Sequence, residues 1–160
     1  MKALILYRSH YGNTKQVADE IVRQVVASGH DATAHRLRRR LPRPAGFDFV
    51  FVGSPTRMAR ASWRMMRALR RLRWKKIGRK PLAVFDTYGP VPSDPEEVKE
   101  NEKWLYPGAA GRLAERAREL GLNVYPEVLR CEVQGMKGPL KAGELEKVAP
   151  FVREFIASLK

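Results

Sequence analysis

The chain has little of what builds a site by itself. Its single cysteine, Cys131, excludes an internal disulfide and any cysteine cluster around a metal. Two of its three histidines, His30 and His35, fall away from the loops discussed below, so no metal site is expected. The longest unbroken apolar run is Ala3-Leu4-Ile5-Leu6-Tyr7, far short of the roughly 20 residues that cross a bilayer. No integral membrane segment is therefore expected. The first residues enter an apolar run without a charged leader or a cleavage signature, which makes a cytoplasmic protein the expectation. There is no internal repeat and no low-complexity linker in the 160 residues, and a length of this size suits one domain spanning 1–160. Neither Gly-x-Gly-x-x-Gly nor Gly-x-x-x-x-Gly-Lys-Ser/Thr occurs, so neither common nucleotide-binding loop is present.

Acidic residues are scarce in one place only. The chain carries 31 Lys+Arg against 17 Asp+Glu, a formal net charge of +14. Between residues 36 and 80 sixteen basic residues meet a single acid, Asp48, while the rest of the chain is close to neutral. The basic surface is thus a local feature. Such a block attracts acidic proteins, anionic lipid or nucleic acid, or is a solvated face. No nucleic-acid-binding motif accompanies it, and nucleic acid is not expected as a partner.

Apolar periodicity alternates between strand and helix. Strand-like runs occupy Lys2–Tyr7, Asp31–Leu37, Phe47–Val52, Pro81–Phe85 and part of Leu122–Val133, the last interrupted by Pro126. Helical spacing covers Asn13–Ser28, Arg60–Trp74, Gly108–Leu120 and Gly143–Leu159, and Asp94-Pro95-Glu96-Glu97 is a helix-start signal. Pro42, Pro44 and Gly46 mark a loop. This order implies an α/β fold with a doubly wound parallel sheet and helices on both faces. In such a sheet the ligand site lies past the carboxyl ends of the strands, where strand order reverses.

Three loops meet that condition: Ser9-His10-Tyr11-Gly12-Asn13-Thr14, Gly53-Ser54-Pro55-Thr56-Arg57-Met58 and Asp86-Thr87-Tyr88-Gly89-Pro90. The first combines hydroxyls, a glycine and a helix N-terminus. Free N–H groups there favour an anion, and the lack of lysine suits a monophosphate better than a triphosphate with magnesium. Its alternative reading is a helix merely capped by Asn and Thr. On a helical wheel, Ala61, Met65, Ala68, Leu69 and Leu72 form the core stripe of the Arg60–Trp74 stretch. Arg60, Arg64, Arg67 and Arg71 lie opposite, with Trp63 and Trp74 beside them. That face reads either as a self-association or docking surface or as tryptophans shielded by arginine stems.

The motifs together resemble the flavodoxin family: Ser-x-Tyr-Gly-Asn-Thr after the first strand, Gly53-Ser-Pro-Thr-Arg as the second loop, and Gly138-Pro139-Leu140 with Gly143-Glu144 near the end. The resemblance implies three layers, a five-stranded sheet of order 2-1-3-4-5 and FMN at the switch point. It implies that Ser9, Tyr11, Asn13 and Thr14, with the backbone of His10 and Gly12, hold the phosphate. Ser54, Pro55, Thr56 and Arg57 would border the ribityl chain and ring, and Thr87, Tyr88 and Gly89 the other side of the ring. Tyr88 is the expected stacking residue. No catalytic acid, base or nucleophile is implied.

Two departures from the family pattern matter. The second loop has no glycine in Arg57-Met58-Ala59-Arg60. A turn into positive φ there costs of order 1 kcal/mol, so weak stabilisation of half-reduced flavin is expected. The charge beside the site is basic, where family electron carriers are acidic. The expected function is FMN-dependent electron transfer with an acidic redox partner protein or a small acceptor such as a quinone. The alternative is an FMN-dependent NAD(P)H:quinone oxidoreductase of the same superfamily. The segment from Pro90 to Pro107 is long for a connection, and Trp104 and Tyr106 in it would either close over the flavin or pack on the later helices.

Overall fold

The computed structural model describes the chain apart from residues 44 and 45, and describes residues 76 and 78 by their backbone alone. Pro44 of the expected loop lies outside the described residues. Five strands form one parallel sheet: β1 (Lys2–Tyr7), β2 (Asp31–Arg36), β3 (Phe49–Pro55), β4 (Leu82–Tyr88) and β5 (Val124–Glu132). Their order is β2-β1-β3-β4-β5, with every neighbouring pair parallel. The three central strands are almost wholly buried, which is why they read as continuous apolar runs. β2 and β5 are the edges and carry mixed sequences. Pro126 sits within edge strand β5, where a missing N–H is tolerated, and the β4–β5 register shifts between Leu82 and Val84.

Helices cover both faces. α1 (Asn13–Ala27) and α6 (Val148–Ser158) enclose one core, built on Ile21, Phe49, Phe51 and Phe155. α2 (Trp63–Arg73) and α5 (Gly108–Glu119) enclose the other, built on Leu4, Leu6, Met65, Leu69 and Leu113. Two short helices, α3 (Pro95–Glu100) and α4 (Glu102–Leu105), occupy the long connection after β4. Asp94 caps α3 by accepting the Glu96 N–H at 3.0 Å, as its sequence signal required. Among the described residues, no helix is long and apolar enough to cross a membrane.

Several boundaries differ from the sequence expectation. α2 starts at Trp63, not Arg60, because Arg57 and Arg60 exchange two backbone hydrogen bonds of 2.9 Å and close a hairpin turn. A residue held in that turn is unavailable to the helix. The last helical stretch opens with a 3-10 turn over Glu144–Lys147 before α6 begins. β3 and β4 run on to Pro55 and Tyr88, so residues expected in loops leave the sheet directly as strand ends. Gly53 faces Phe85, whose ring fills the space that any Cβ would need.

Cys131 is fully buried against the α1 and α6 core. Burial, followed by the nearby Glu144 carboxylate, pushes its thiol up to about 12. Two outcomes are expected. The thiol stays unreactive toward an aromatic disulfide reagent at pH 8 until the chain unfolds. Because the folded value lies above the unfolded one, this contribution to stability is complete below about pH 8.5 and declines as pH rises through the folded value. Denaturant midpoints measured across that range for the protein and for Cys131→Ala check it, since the variant should lose that part of the slope.

Candidate functional site

The carboxyl ends of β1, β3 and β4 open into a groove of about 310 Å³. It lies where strand order reverses between β1 and its two neighbours. All three expected loops reach it. Ser9, His10, Tyr11, Asn13 and Thr14 line one end, and Pro55, Thr56, Arg57, Thr87, Tyr88 and Gly89 line the rest. Met58, Val133 and Met136 also line it. Val133 and Met136 come from the loop after β5 and escaped the sequence reading, because two isolated apolar residues in a loop carry no periodic signal.

The first loop is organised around Ser9. Its buried hydroxyl accepts N–H groups from Gly12 at 3.1 Å and Lys15 at 3.3 Å. Gly12 has φ 92°, a conformation that favours glycine and lets the chain turn into α1. The first-turn N–H groups of α1 have no partner within the helix, by the geometry of any helix start. Thr14 is buried, and its hydroxyl shares a 2.8 Å hydrogen bond with that of Thr87, tying the first loop to the third. Asn13 donates to the Lys137 carbonyl at 3.2 Å, which brings in the loop after β5. Tyr11 is exposed, and His10 packs edge-on against it at 5.6 Å. Partial burial, then the charges of Arg57, Arg8 and Arg36, push the His10 imidazole below its ordinary value.

Ser54 and Gly12 do not line the groove. Ser54 is fully buried and accepts the Ser62 N–H at 2.9 Å. It staples the second loop to the start of α2 rather than facing a ligand. Beyond it, Met58 and Ala59 both adopt positive φ, 49° and 64°. The glycine-free loop therefore already holds the conformation that its sequence makes costly. Arg112 of α5 secures it by donating Nε to the Ala59 carbonyl at 2.6 Å.

Beneath the groove lies a charge pair whose geometry no sequence signal revealed. Asp86 is fully buried. Its carboxylate accepts Arg130 Nε at 3.0 and 3.1 Å, the Thr56 hydroxyl at 3.0 Å and the Ala110 N–H at 2.9 Å. Thr56 in turn accepts the Ala109 N–H at 2.8 Å. Burial pushes the Asp86 carboxyl up, against the downward pull of Arg130, Ala110 and Thr56. The Arg130 guanidinium lies 3.8 Å from the centre of the Tyr88 ring and 5.3 Å from that of Tyr106. Burial pushes the Tyr88 hydroxyl up to about 12, so it stays protonated. Tyr88 is thus packed on an arginine as well as lining the groove, and Tyr106 joins that stack while Trp104 faces a neighbouring cavity.

Removing one member of a buried pair leaves the other charged and desolvated, which typically costs about 3–5 kcal/mol. Arg130→Met is therefore expected to lower unfolding free energy by that order in urea titrations. The double variant Asp86→Leu, Arg130→Met should be less destabilised than the sum of the two single variants. Strict additivity would show that the two side chains are not coupled.

Three comparisons place this architecture. A family model described as a flavodoxin domain matches residues 4–122. Among curated protein sequences none matches. Solved structures similar over nearly the whole length include a flavodoxin from the domain Archaea, with 22% identity, 99% of each chain covered and a TM-score of 0.76. They also include Flavodoxin 1 from Bacillus cereus, with 19% identity, 100% of each chain and a TM-score of 0.72. A third is a Fusobacterium nucleatum flavodoxin bound to flavin mononucleotide, with 13% identity, 99% of each chain and a TM-score of 0.72. The strand order agrees with the motif resemblance, and the family match spans β1 to the end of α5, so the chain belongs to the flavodoxin domain family.

Proposed function

We propose that this chain is an FMN-dependent electron-transfer protein of the flavodoxin type. The observation that carries the reading is the groove at the reversal of strand order, with an anion nest at one end and a slot between two loops at the other. The donor set fits FMN. No carboxylate lines the groove, hydroxyls and first-turn N–H groups converge at the α1 end, and the remaining walls combine Pro55, Met58, Tyr88, Val133 and Met136 with Thr56, Thr87 and the Arg57 cation. The relative solved with flavin mononucleotide shares the fold.

Ser9, Tyr11, Asn13 and Thr14, with the His10 and Gly12 backbone, would hold the phosphate. Ser9 and Thr14 act by shaping the nest, since their oxygens already bind within the protein. Pro55, Thr56 and Arg57 would border one side of the ribityl chain and ring, and Thr87, Tyr88 and Gly89 the other. FMN, when bound, supplies the one- and two-electron chemistry. The protein's own part is to orient the ring and set the charge around it. Arg57 beside the slot favours a negatively charged ring by charge attraction. Thr56 fixes the second loop through Asp86, and Tyr88 keeps its proton and its place on Arg130.

The test is an FMN titration of the purified protein followed by absorbance and flavin fluorescence. One FMN per chain is expected, with strong quenching. Thr14→Val is expected to weaken binding severalfold, because it removes the Thr14–Thr87 hydroxyl pair that holds the first loop to the third. Absence of binding overturns the reading. Oxidation of NAD(P)H with a quinone, in the absence of any added reductase, would favour the oxidoreductase alternative over a carrier.

A further inference from the structure

A second and larger cavity, of about 780 Å³, adjoins the groove. The two share Ser9, His10, Pro55, Arg57 and Met58. A carrier that exchanges electrons through an exposed flavin edge needs no such space. Its walls come from four places: the end of β1, the hairpin turn of the second loop, the start of α2, and α4.

Its chemistry is one-sided. Arg8, Arg57, Arg60 and Arg64 line it, and no acid does. Among the described residues none of these four takes part in an ion pair. Arg8 donates one N–H to the Leu37 carbonyl at 2.8 Å. Its guanidinium is pushed down by burial and then by the charges of Arg64 and Arg36. Converging guanidinium groups without a counter-charge are suited to carboxylate, sulfonate or phosphate groups, which they bind as planar forks.

Two tryptophans on different elements complete the walls. Trp63 on α2 is 65% exposed and Trp104 on α4 is 45% exposed. Each already has a cation beside its ring, Arg64 at 5.5 Å and Lys103 at 5.1 Å. Large indoles open to a cavity are surfaces for stacking. A small inorganic anion would leave them and most of the volume unused, and a neutral hydrocarbon would leave the arginines unmatched. The volume falls within the range of about 300–1,000 Å³ typical of small-molecule sites.

We propose that this cavity binds a planar aromatic ligand carrying at least two anionic groups, its ring against Trp63 and Trp104 and its charges on Arg8, Arg57, Arg60 and Arg64. Such a ligand lies against the residues that the cavity shares with the groove. The inference concerns binding alone and does not depend on the groove holding FMN.

The probe is anthraquinone-2,6-disulfonate, titrated into the purified protein and read by tryptophan fluorescence and calorimetry. Saturable binding of one probe per chain is expected, at least tenfold tighter than sulfate or neutral 1,4-naphthoquinone. The pair Arg60→Gln, Arg64→Gln should weaken it about tenfold or more, because charge-assisted hydrogen bonds are lost. The pair Arg70→Gln, Arg73→Gln removes the same charge from α2 outside the cavity and should change affinity less than about twofold. Trp74 lies outside the cavity and is 81% exposed, so Trp74→Phe should retain the quenching that Trp63→Phe and Trp104→Phe each reduce. Non-saturable binding, or an equal loss in both arginine pairs, would overturn the proposal by showing attraction to net charge alone. Far-UV circular dichroism of each variant ensures that a loss is read only from folded protein. Should Arg60→Gln, Arg64→Gln fail to fold, Trp104→Phe alone decides: unchanged quenching and affinity there also overturn it.

Discussion

The buried pair of Asp86 and Arg130 is the constraint on which the site end of the molecule depends. One carboxylate gathers three donor groups from three places, β5, the second loop and the start of α5, and Thr56 in turn accepts the neighbouring Ala109 N–H. A charge with no exposure is costly unless its acceptor positions are filled, and here they are filled by the elements that must meet. The first turn of α5 is capped from outside its own sequence, since its N-cap residue Pro107 offers no side-chain hydrogen bond. Gly108 follows from the same crowding, because at φ 69° any Cβ would fall on the Arg130 guanidinium. The two outer guanidinium nitrogens of Arg130 are buried and have no hydrogen-bond partner among the described residues. The aromatic faces of Tyr88 and Tyr106 cover that charge instead, an attraction worth about 0.5–2 kcal/mol. The position of Tyr88 in the groove is thereby set from below.

Above this layer the three loops are joined by short polar links rather than by packing. Thr14 and Thr87 connect the first to the third through a single hydroxyl pair, and the Thr56 N–H reaches the Thr87 carbonyl at 2.8 Å to connect the second. The second loop then departs from the usual economy of turns. A two-residue hairpin turn with both central residues at positive φ normally uses glycine, asparagine or aspartate. Met58 and Ala59 do not qualify, and holding two such residues there costs of order 1 kcal/mol each. The Arg57–Arg60 backbone pair and the Arg112 contact to the Ala59 carbonyl offset it. The tip of this loop is thus fastened at both its strands and its apex, while the Met58 side chain stays 79% exposed.

Much of this frame could be read in the sequence. Continuous apolar runs in β1, β3 and β4 report burial on both faces, and hydroxyl and glycine patterns at their ends report the loops that meet. The Asp94-Pro95 start of α3 was legible for a similar reason, since its cap uses only local residues. What was not legible depends on partners distant along the chain. Ser54 has the right residue type for a ligand contact, but its neighbour turned out to be the Ser62 N–H. Arg130 reads as an ordinary charged residue on an edge strand until the β4–β5 register sets it opposite Asp86. The start of α2 moved by three residues because a backbone pair across a turn outweighed the helical spacing of the side chains.

The basic block takes its meaning from where the fold sends it. Counted along the chain, its arginines are a stretch of like charge. In space, Arg57, Arg60 and Arg64 turn toward the same cavity and meet Arg8 from the end of β1. At separations of several ångströms like charges near a protein surface repel by amounts of order a few kcal/mol, so a cluster that lacks acids is retained against its own field. Burial first, and that field second, lower the tendency of Arg8 and His10 to hold a proton. Arginines farther along α2 face solvent, and those near its C-terminus, Arg70, Arg71 and Arg73, lie at the favourable end of the helix dipole. The two ends of one helix therefore differ in kind. At its C-terminus the charge is stabilised by the backbone, whereas at its start Arg64 lies over the Trp63 ring beside other arginines and, among the described residues, pairs with no carboxylate.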